Sequence, residues 1–133
     1  AKSEHDWTMI FDIISKVKRE IKEFLPYKVI ELETAEADDI IALTTQFAEF
    51  KGDQKVIVSS DKDFFQLLDD ETVLYRPVQK EFLNKNRLVE KFGIHPTNFA
   101  LARAMVGDKS DNLEGVPGVG LPTVAKRLPF LSI

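Results

Sequence analysis

The segment KVIVSSDKDFFQLL, residues 55–68, decides the fold class. Its first five residues, 55–59, form an almost wholly apolar run, which is typical of a strand buried inside a parallel sheet. A short helix is predicted from about Asp63, so Asp61 and Asp63 lie in the turn directly after the strand. Open parallel sheets bind ligands beyond the carboxyl ends of their strands, and this turn is therefore also a candidate site.

Strands and helices alternate on both sides of this segment. Residues 28–32 (KVIEL) and residues 72–75 are predicted to be strands, and a helix is predicted from residue 35 to about residue 50. Thr34 can cap that helix, and the KGD sequence at 51–53 ends it. The resulting β-α-β-α-β order predicts an α/β fold with a parallel, doubly wound sheet.

Helices are predicted at both ends of the chain. Apolar residues at three- and four-residue steps predict an amphipathic helix over residues 6–25, which Pro26 ends. Past Pro77 the pattern becomes helical, with predicted helices at residues 84–92, 96–106 and 123–128. We therefore expect an α/β layer in residues 1–80 and a helical portion in residues 81–133, packed as one compact unit.

The composition is that of an ordinary globular domain. With 133 residues, 44% hydrophobic and 30% charged, the chain is expected to form one domain around one core. The absence of cysteine excludes disulfides, a thiol nucleophile and a cysteine zinc site, and two histidines leave little for a catalytic triad. No apolar run approaches the roughly 18 residues of a membrane span, so we expect a soluble cytoplasmic protein without membrane contact.

Five carboxylates are predicted to converge at one edge of the sheet. Glu36, Asp38 and Asp39 open the helix after the first predicted strand, whereas Asp61 and Asp63 follow the second. Hard oxygen ligands of this kind suit Mg²⁺ or Mn²⁺, and such clusters serve two-metal hydrolysis of phosphodiesters. The alternative is purely structural, because acids near a helix N-terminus are also favoured by the helix dipole and by capping.

The formal net charge of −4 does not exclude a phosphate-bearing substrate. A third acidic group, Asp108 and Asp111, brings the clustered carboxylates to seven. Without those seven the chain holds 15 acidic against 18 basic residues, so cations bound there would leave a mildly basic surface.

A glycine-rich turn follows the third acidic group. Glycines let a backbone approach a phosphate closely, and the N–H groups of the next helix then point at the anion. A helix–hairpin–helix of this kind holds duplex DNA without reading bases, although Gly/Pro turns also connect helices with no such role. Arg103 and Lys109 individually fit solvated surface charges. The candidate DNA-binding residues are Lys109, Gly115, Gly118, Gly120, Thr123, Lys126 and Arg127.

Three strings taken together resemble the 5′-nuclease family. They are TAEADDIIA (34–42), VSSDKDFFQLL (58–68) and GDKSDNLEGVPGVG (107–120), and their order and spacing match as well. The family covers flap endonucleases, the 5′→3′ exonuclease domain of bacterial DNA polymerase I and the phage ribonuclease H of T-even type, to which this chain looks most similar. The resemblance extends over residues 28–128.

The resemblance implies a site for two Mg²⁺ or Mn²⁺ ions. Glu36, Asp38 and Asp39 would help to hold the first ion, and Asp108 and Asp111 the second. Asp61 and Asp63 would bridge the two ions or serve both. The turn at residues 115–120 would be the family's helix–three-turn–helix, which holds the double-stranded arm of the substrate. In several members the carbonyls of that hairpin also bind K⁺.

This chain departs from the family pattern in two places. Family members begin with a strand that carries an aspartate, and a second aspartate precedes a helical arch. Asp6 and Asp12 lie instead on the amphipathic helix, so the chain is expected to be a fragment that lacks about 100 or more preceding residues, including that strand and arch. Pro122 also stands where the family often has lysine.

The resemblance implies 5′→3′ exonuclease and flap endonuclease activity on flapped or RNA-primed duplex DNA, in replication and repair. The intact protein is expected to be a monomer, with replication proteins as candidate partners, in the cytoplasm of its cell or of a phage-infected host; the fragment itself could be inactive. Two alternatives stay open: a non-catalytic duplex-DNA-binding module, and a phosphatase or receiver-type domain with an acidic Mg²⁺ pocket. Binding without cleavage would favour the first, and hydrolysis of small phosphate esters the second.

Overall fold

The computed structural model describes every residue from Ala1 to Ile133. The chain packs as two compact units, Ala1–Ala37 and Asp38–Ile133. The helices are α1 (Glu4–Phe24), α2 (Ala37–Thr45), α3 (Lys85–Phe92), α4 (Phe99–Val106) and α5 (Leu121–Arg127). None of them is both long and apolar enough to cross a lipid bilayer.

In the first unit, α1 confirms the predicted amphipathic helix. Ser3 caps its start in a reciprocal pair, in which the Asp6 N–H donates to Ser3 Oγ (3.2 Å) and the Ser3 N–H donates to Asp6 Oδ2 (2.9 Å). Leu25, which follows the last helical residue, is extended, as the ring of Pro26 requires of the residue before it. The helix therefore ends where the proline predicts.

The strand predicted at residues 28–32 is wrong. These residues join neither sheet, and Glu31 among them pairs with Lys18 of α1. A strand needs a neighbour to exchange backbone hydrogen bonds with, and no segment of this chain provides one here. The next helix also starts later than predicted, at Ala37, so Thr34 lies three residues before it rather than at the cap position.

The second unit is built on a three-stranded sheet. β1 (Lys55–Val58) and β2 (Thr72–Arg76) run parallel, with Ile57 opposite Leu74, and both confirm predicted strands. β3 (Glu81–Leu83) pairs antiparallel with β2 and was not predicted. The α/β class is therefore confirmed, whereas of the three parallel strands predicted only β1 and β2 form a parallel pair.

The core of the second unit lies against one face of this sheet. Alternate residues of the strands, including Ile57, Leu74 and Leu83, are buried there together with Phe65. Phe65 belongs to a 3₁₀ helix, Lys62–Leu67, which confirms the short helix predicted near Asp63. Burial of an apolar side chain of this size contributes about 1.5–3 kcal/mol, so this packing anchors the turn that carries the candidate aspartates.

Aromatic packing ties the same 3₁₀ helix to the helical part of the unit. The Phe65 ring meets the Phe99 ring edge-on, with centroids 5.0 Å apart, and lies 5.2 Å from that of Phe92. The buried Arg76 guanidinium stands over Phe65 and pairs with Glu81 at 2.7 Å. Strands β2 and β3 are thereby linked to one aromatic cluster.

Short helices follow the sheet, as predicted. Asn84 caps α3 by accepting from the Arg87 N–H (2.8 Å), and Gly93 ends it in the left-handed conformation (φ 70°). A 3₁₀ turn and α4 occupy the helix predicted at 96–106, and α5 starts two residues before the predicted 123. Between α4 and α5 lie β4 (Gly107–Asp108) and β5 (Leu113–Glu114). Residues on both sides of position 80 share this unit, so a functional division there stays a prediction.

Candidate functional site

Asp61 and Asp63 lie directly after β1, at its carboxyl end, as predicted. Asp61 caps the 3₁₀ helix, because its Oδ1 accepts from the Asp63 N–H (2.9 Å). The Ser59 hydroxyl oxygen in turn accepts from the Asp61 N–H (3.1 Å). These two local hydrogen bonds fix the turn and hold Asp63 at the sheet edge.

The charge on Asp63 is only partly compensated. Burial raises the pKa of its carboxyl group above the ordinary 3.8, the nearby charges of Asp61 and Asp108 raise it further, and Arg103 opposes the shift. A carboxylate in such surroundings is a candidate cation ligand, because a bound cation would relieve the repulsion.

A small cavity of about 180 Å³ is lined by residues of α2 and by residues that follow β1. Asp38 and Asp39, in the first turn of α2, line it together with Asp63 and Gln66. Asp38 Oδ1 also accepts from the Asp39 N–H (2.9 Å). Three of the five carboxylates predicted to converge are thus neighbours here, whereas Glu36 belongs to the first unit and its place in the site stays a prediction.

A second cavity, of about 480 Å³, lies on the other side of Asp63. Asp63, Arg103, Asp108 and Asp111 are among its lining residues. The Arg103 Nη2 donates to Asp108 Oδ2 (2.6 Å) and to Asp63 Oδ1 (3.3 Å). The sequence around Arg103 fits a surface charge and does not reveal this role, because Asp63 lies 40 positions away along the chain.

Asp108 is held more firmly than Asp63. Its Oδ1 accepts from both the N–H (2.9 Å) and the hydroxyl of Ser110. These hydrogen bonds, with a smaller contribution from Arg103, lower the pKa of the Asp108 carboxyl group below 3.8. Asp108 is therefore a fixed charge at the start of the glycine-rich turn.

Asp63 lines both cavities, and the other acidic side chains around them also offer carboxylate oxygens. Hard oxygens of this type fit Mg²⁺ or Mn²⁺ rather than soft metals. With the side chains as they stand, no three acidic groups come close enough together to hold one ion. Arg103, inserted between Asp63 and Asp108, supplies the positive charge at this point.

Glycine is required in the turn by close backbone packing. A Cβ on Gly115 would lie 2.2 Å from the carbonyl carbon and oxygen of Val106, and one on Gly107 would lie 2.4 Å from the Gly115 nitrogen. The Val116 N–H donates to the Met105 carbonyl (2.8 Å) and fixes the same crossing. Close packing of this turn on the end of α4 thus accounts for Gly115 without any ligand.

Of the remaining candidate DNA-binding residues, Lys109, Gly118 and Gly120 line an open cavity of about 910 Å³, whose lining residues are 106–109 and 112–120. Gly118 (φ 72°) has open space where a Cβ would be, and Gly120 precedes α5. Lys109, Lys126 and Arg127 are exposed, the last two in the final turn of α5. Basic residues there also complement the helix dipole, so contact with DNA by these residues and by the half-buried Thr123 stays a prediction.

Comparison with known proteins gives a consistent result. Residues 8–93 match the family model for the 5′-3′ exonuclease, N-terminal resolvase-like domain. The chain is 37% identical over 112 residues to the 5′-3′ exonuclease of Aquifex aeolicus, covering 84% of this chain and 39% of that protein. It is 36% identical over 110 residues to thermostable DNA polymerase I of Thermus thermophilus, covering 83% of this chain and 13% of that protein.

Solved structures share the fold. The 5′-exonuclease of bacteriophage T5 with bound zinc superposes with a TM-score of 0.79 at 21% identity, over 98% of this chain and 49% of that chain. A T5 flap endonuclease in a pseudo-enzyme-product complex with DNA and metal ions gives a TM-score of 0.76 at 20% identity, over 96% of this chain and 49% of that chain.

This chain spans less than two fifths of the length of the curated relatives described and about half of the phage structures. The resemblance carried by the three sequence strings is confirmed by the family model over 8–93 and by the identity to bacterial exonucleases. The chain therefore belongs to the 5′-3′ exonuclease family, whose N-terminal resolvase-like domain is matched by residues 8–93.

Proposed function

We propose that this chain forms part of a metal-dependent 5′-nuclease that hydrolyses phosphodiester bonds in flapped or RNA-primed duplex DNA. The observation that carries the proposal is the position of Asp63, at the carboxyl end of β1, where it lines both carboxylate cavities. Family membership supports the reaction class. The substrate and the 5′ polarity follow by analogy with the family and stay proposals for the intact protein.

Divalent cations would be held by the carboxylates that line the two cavities. Cations bound there would supply the Lewis acidity that activates a water molecule and offsets charge on the leaving oxygen. Mg²⁺ or Mn²⁺ is proposed because the donors are hard oxygens. The proposed ligands are Asp38, Asp39 and Asp63 around one cavity and Asp63, Asp108 and Asp111 around the other. Glu36 and Asp61 line neither cavity and stay candidate ligands from the sequence alone.

Duplex DNA would be held beside this site by the glycine-rich turn and α5. The open cavity lined by residues 106–109 and 112–120 exposes backbone that a phosphate could approach, and Lys109, Lys126 and Arg127 supply positive charge. Carbonyl oxygens of the same turn are candidate ligands for K⁺. The complex of the T5 flap endonuclease with DNA supports this part of the proposal. We expect a monomer that works with other replication proteins.

A second function, that of a non-catalytic duplex-binding module, is favoured by one observation. No three acidic side chains come close enough together to hold one metal ion, so the glycine-rich turn could bind a duplex while the carboxylates hold no metal. A phosphatase or receiver-type domain has less support, because family membership points to nucleases and the glycine-rich turn has no use in such a domain.

The test is cleavage of a labelled 5′-flap duplex by the intact protein in Mg²⁺ or Mn²⁺. Asp63→Asn is expected to lower the cleavage rate by about 10³-fold or more while duplex affinity stays within about two-fold, since this carboxylate serves both cavities. Asp70→Asn is the matched control, because exposed Asp70 loses the same charge outside both cavities and pairs only with Lys85. Cleavage by Asp63→Asn at the rate of Asp70→Asn would refute the proposal, and a large loss of duplex affinity would refute the separate roles of the two regions.

A further inference from the structure

Arg103 connects two carboxylates that the chain brings together from different elements. Its guanidinium leaves α4 and reaches Asp63, in the 3₁₀ helix after β1, and Asp108, in β4. Both contacts use the same nitrogen, Nη2, at 3.3 Å to Asp63 Oδ1 and 2.6 Å to Asp108 Oδ2. One nitrogen therefore spans the gap between the two acidic groups.

These contacts are sheltered enough to matter energetically. The side chains of Arg103, Asp63 and Asp108 are 25%, 37% and 20% exposed, respectively. Ion pairs at fully exposed sites contribute about 0–1 kcal/mol, whereas partial burial weakens solvent screening and strengthens the attraction. The Asp61 charge also acts on Asp63, so the guanidinium of Arg103 offsets only part of the negative charge around Asp63.

A divalent cation held by Asp63 and Asp108 in the larger cavity would compete with Arg103 for the carboxylate oxygens that Arg103 contacts. The second oxygen of Asp108 accepts from Ser110, so both oxygens of Asp108 already have hydrogen-bond donors. Arg103 also places a positive charge next to any such cation. The contact with Asp63 is the longer of the two and would be lost first.

We propose that Arg103 is a positioning residue that acts as a built-in counter-ion, holding Asp63 and Asp108 together without metal and releasing Asp63 when a divalent cation binds. This inference rests on the proposed metal site. The counter-ion role predicts two effects of the same residue: Arg103 stabilises the metal-free protein, and it weakens cation binding. A purely structural arginine would have only the first effect.

The experiment measures Mn²⁺ binding to the intact protein by the loss of the free-ion electron paramagnetic resonance signal, without substrate. Arg103→Gln is expected to bind Mn²⁺ on the order of ten-fold more tightly, because a competing donor and a repelling charge are both removed. In chelator its thermal midpoint should fall, and the rise caused by saturating Mn²⁺ should exceed that of the wild type. Arg87→Gln, an exposed arginine of α3, is the matched control and should leave both quantities unchanged.

Arg103→Lys keeps the positive charge and tests the same idea if the glutamine variant folds poorly. It should bind Mn²⁺ within about three-fold of the wild type, since charge repulsion is retained. The counter-ion role would be overturned if Arg103→Gln bound Mn²⁺ no more tightly than Arg87→Gln. It would also be overturned if the Mn²⁺ affinity of Arg103→Lys differed from that of Arg87→Gln by clearly more than about three-fold. Tight wild-type binding with no gain in Arg103→Gln overturns this inference alone, whereas no Mn²⁺ binding by any variant overturns the proposed function as well.

Discussion

The turn after β1 and the glycine-rich turn after α4 carry the two halves of the proposed activity by different physical means. In the first, side chains matter: Asp63 faces two cavities and its charge is only partly compensated. In the second, the backbone matters: Gly107 and Gly115 approach other backbone atoms so closely that no Cβ fits. Substitutions in the first region should therefore change chemistry at little cost in stability, and substitutions in the second should change stability first.

The largest expected effect on stability is that of Gly115→Ala. Its Cβ would lie 2.2 Å from Val106 backbone atoms, so the turn and the end of α4 would have to move apart. We expect this to lower the free energy of unfolding by about 3 kcal/mol or more. Gly120→Ala is the control, because its Cβ would meet only Pro122 at 3.7 Å, an ordinary contact. Urea unfolding measures both, and equal stability of the two variants would contradict the backbone role of this turn.

The next largest expected effect is the stabilisation of the folded protein by bound metal, which should depend on the turn after β1 and not on the glycine-rich turn. At a Mn²⁺ concentration of 100 times the dissociation constant, binding to the folded state alone adds about 2.7 kcal/mol to the unfolding free energy. The wild type and Gly120→Ala should show this stabilisation, whereas Asp63→Asn should lose most of it, because Asp63 lines both cavities. Thermal unfolding with Mn²⁺ and with chelator measures the difference; equal stabilisation of Asp63→Asn would place the metal elsewhere.

Removing the exposed charges of α5 should weaken duplex binding modestly. Lys126→Ala and Arg127→Ala should each cost about 1 kcal/mol, and each lost phosphate contact should lower the slope of log affinity against log salt by about 0.9. Lys80→Ala, on the turn before β3, is the control. Fluorescence anisotropy over a salt series measures both quantities. An unchanged slope in the double variant would exclude α5 from the phosphate contacts.

The smallest effect compares two aspartates in chelator at neutral pH. The pKa of Asp63 is raised by burial, so its ionised form disfavours folding, whereas the pKa of Asp108 is lowered by Ser110, so its ionised form favours folding. Asp108→Asn should therefore lose more stability than Asp63→Asn, which also gives up only the longer Arg103 contact. Matched chemical unfolding curves measure the order, and the reverse order would mean that Asp63 is the better compensated charge.

Elements that depend on interactions within a few residues could be predicted from the sequence. The apolar run of β1 and its following turn were placed correctly, because strand propensity, burial and the Asp61 cap act within a few residues. The strand at residues 28–32 failed because pairing, not propensity, makes a strand, and β3 was missed because three residues carry too little pattern. Both errors concern which segments become neighbours.

The site divides in the same way. The position of Asp63 followed from its place after β1, but the contact of Arg103 with Asp63 depends on how α4 packs against the 3₁₀ helix. Likewise the sequence suggested Gly115 for phosphate contact, whereas the structure shows that backbone packing against Val106 already requires it. Residues whose role depends on a partner far along the chain could not be assigned from spacing.

The most direct test of the central claim, that Asp63 joins the two cavities into one metal site, is a crystal structure of the intact protein in Mn²⁺ with anomalous diffraction. The account predicts an anomalous peak within metal–oxygen distance, about 2.0–2.6 Å, of an Asp63 carboxylate oxygen. It also predicts that the Arg103 guanidinium has left Asp63. Anomalous peaks only at other carboxylates, with Arg103 still between Asp63 and Asp108, would contradict it.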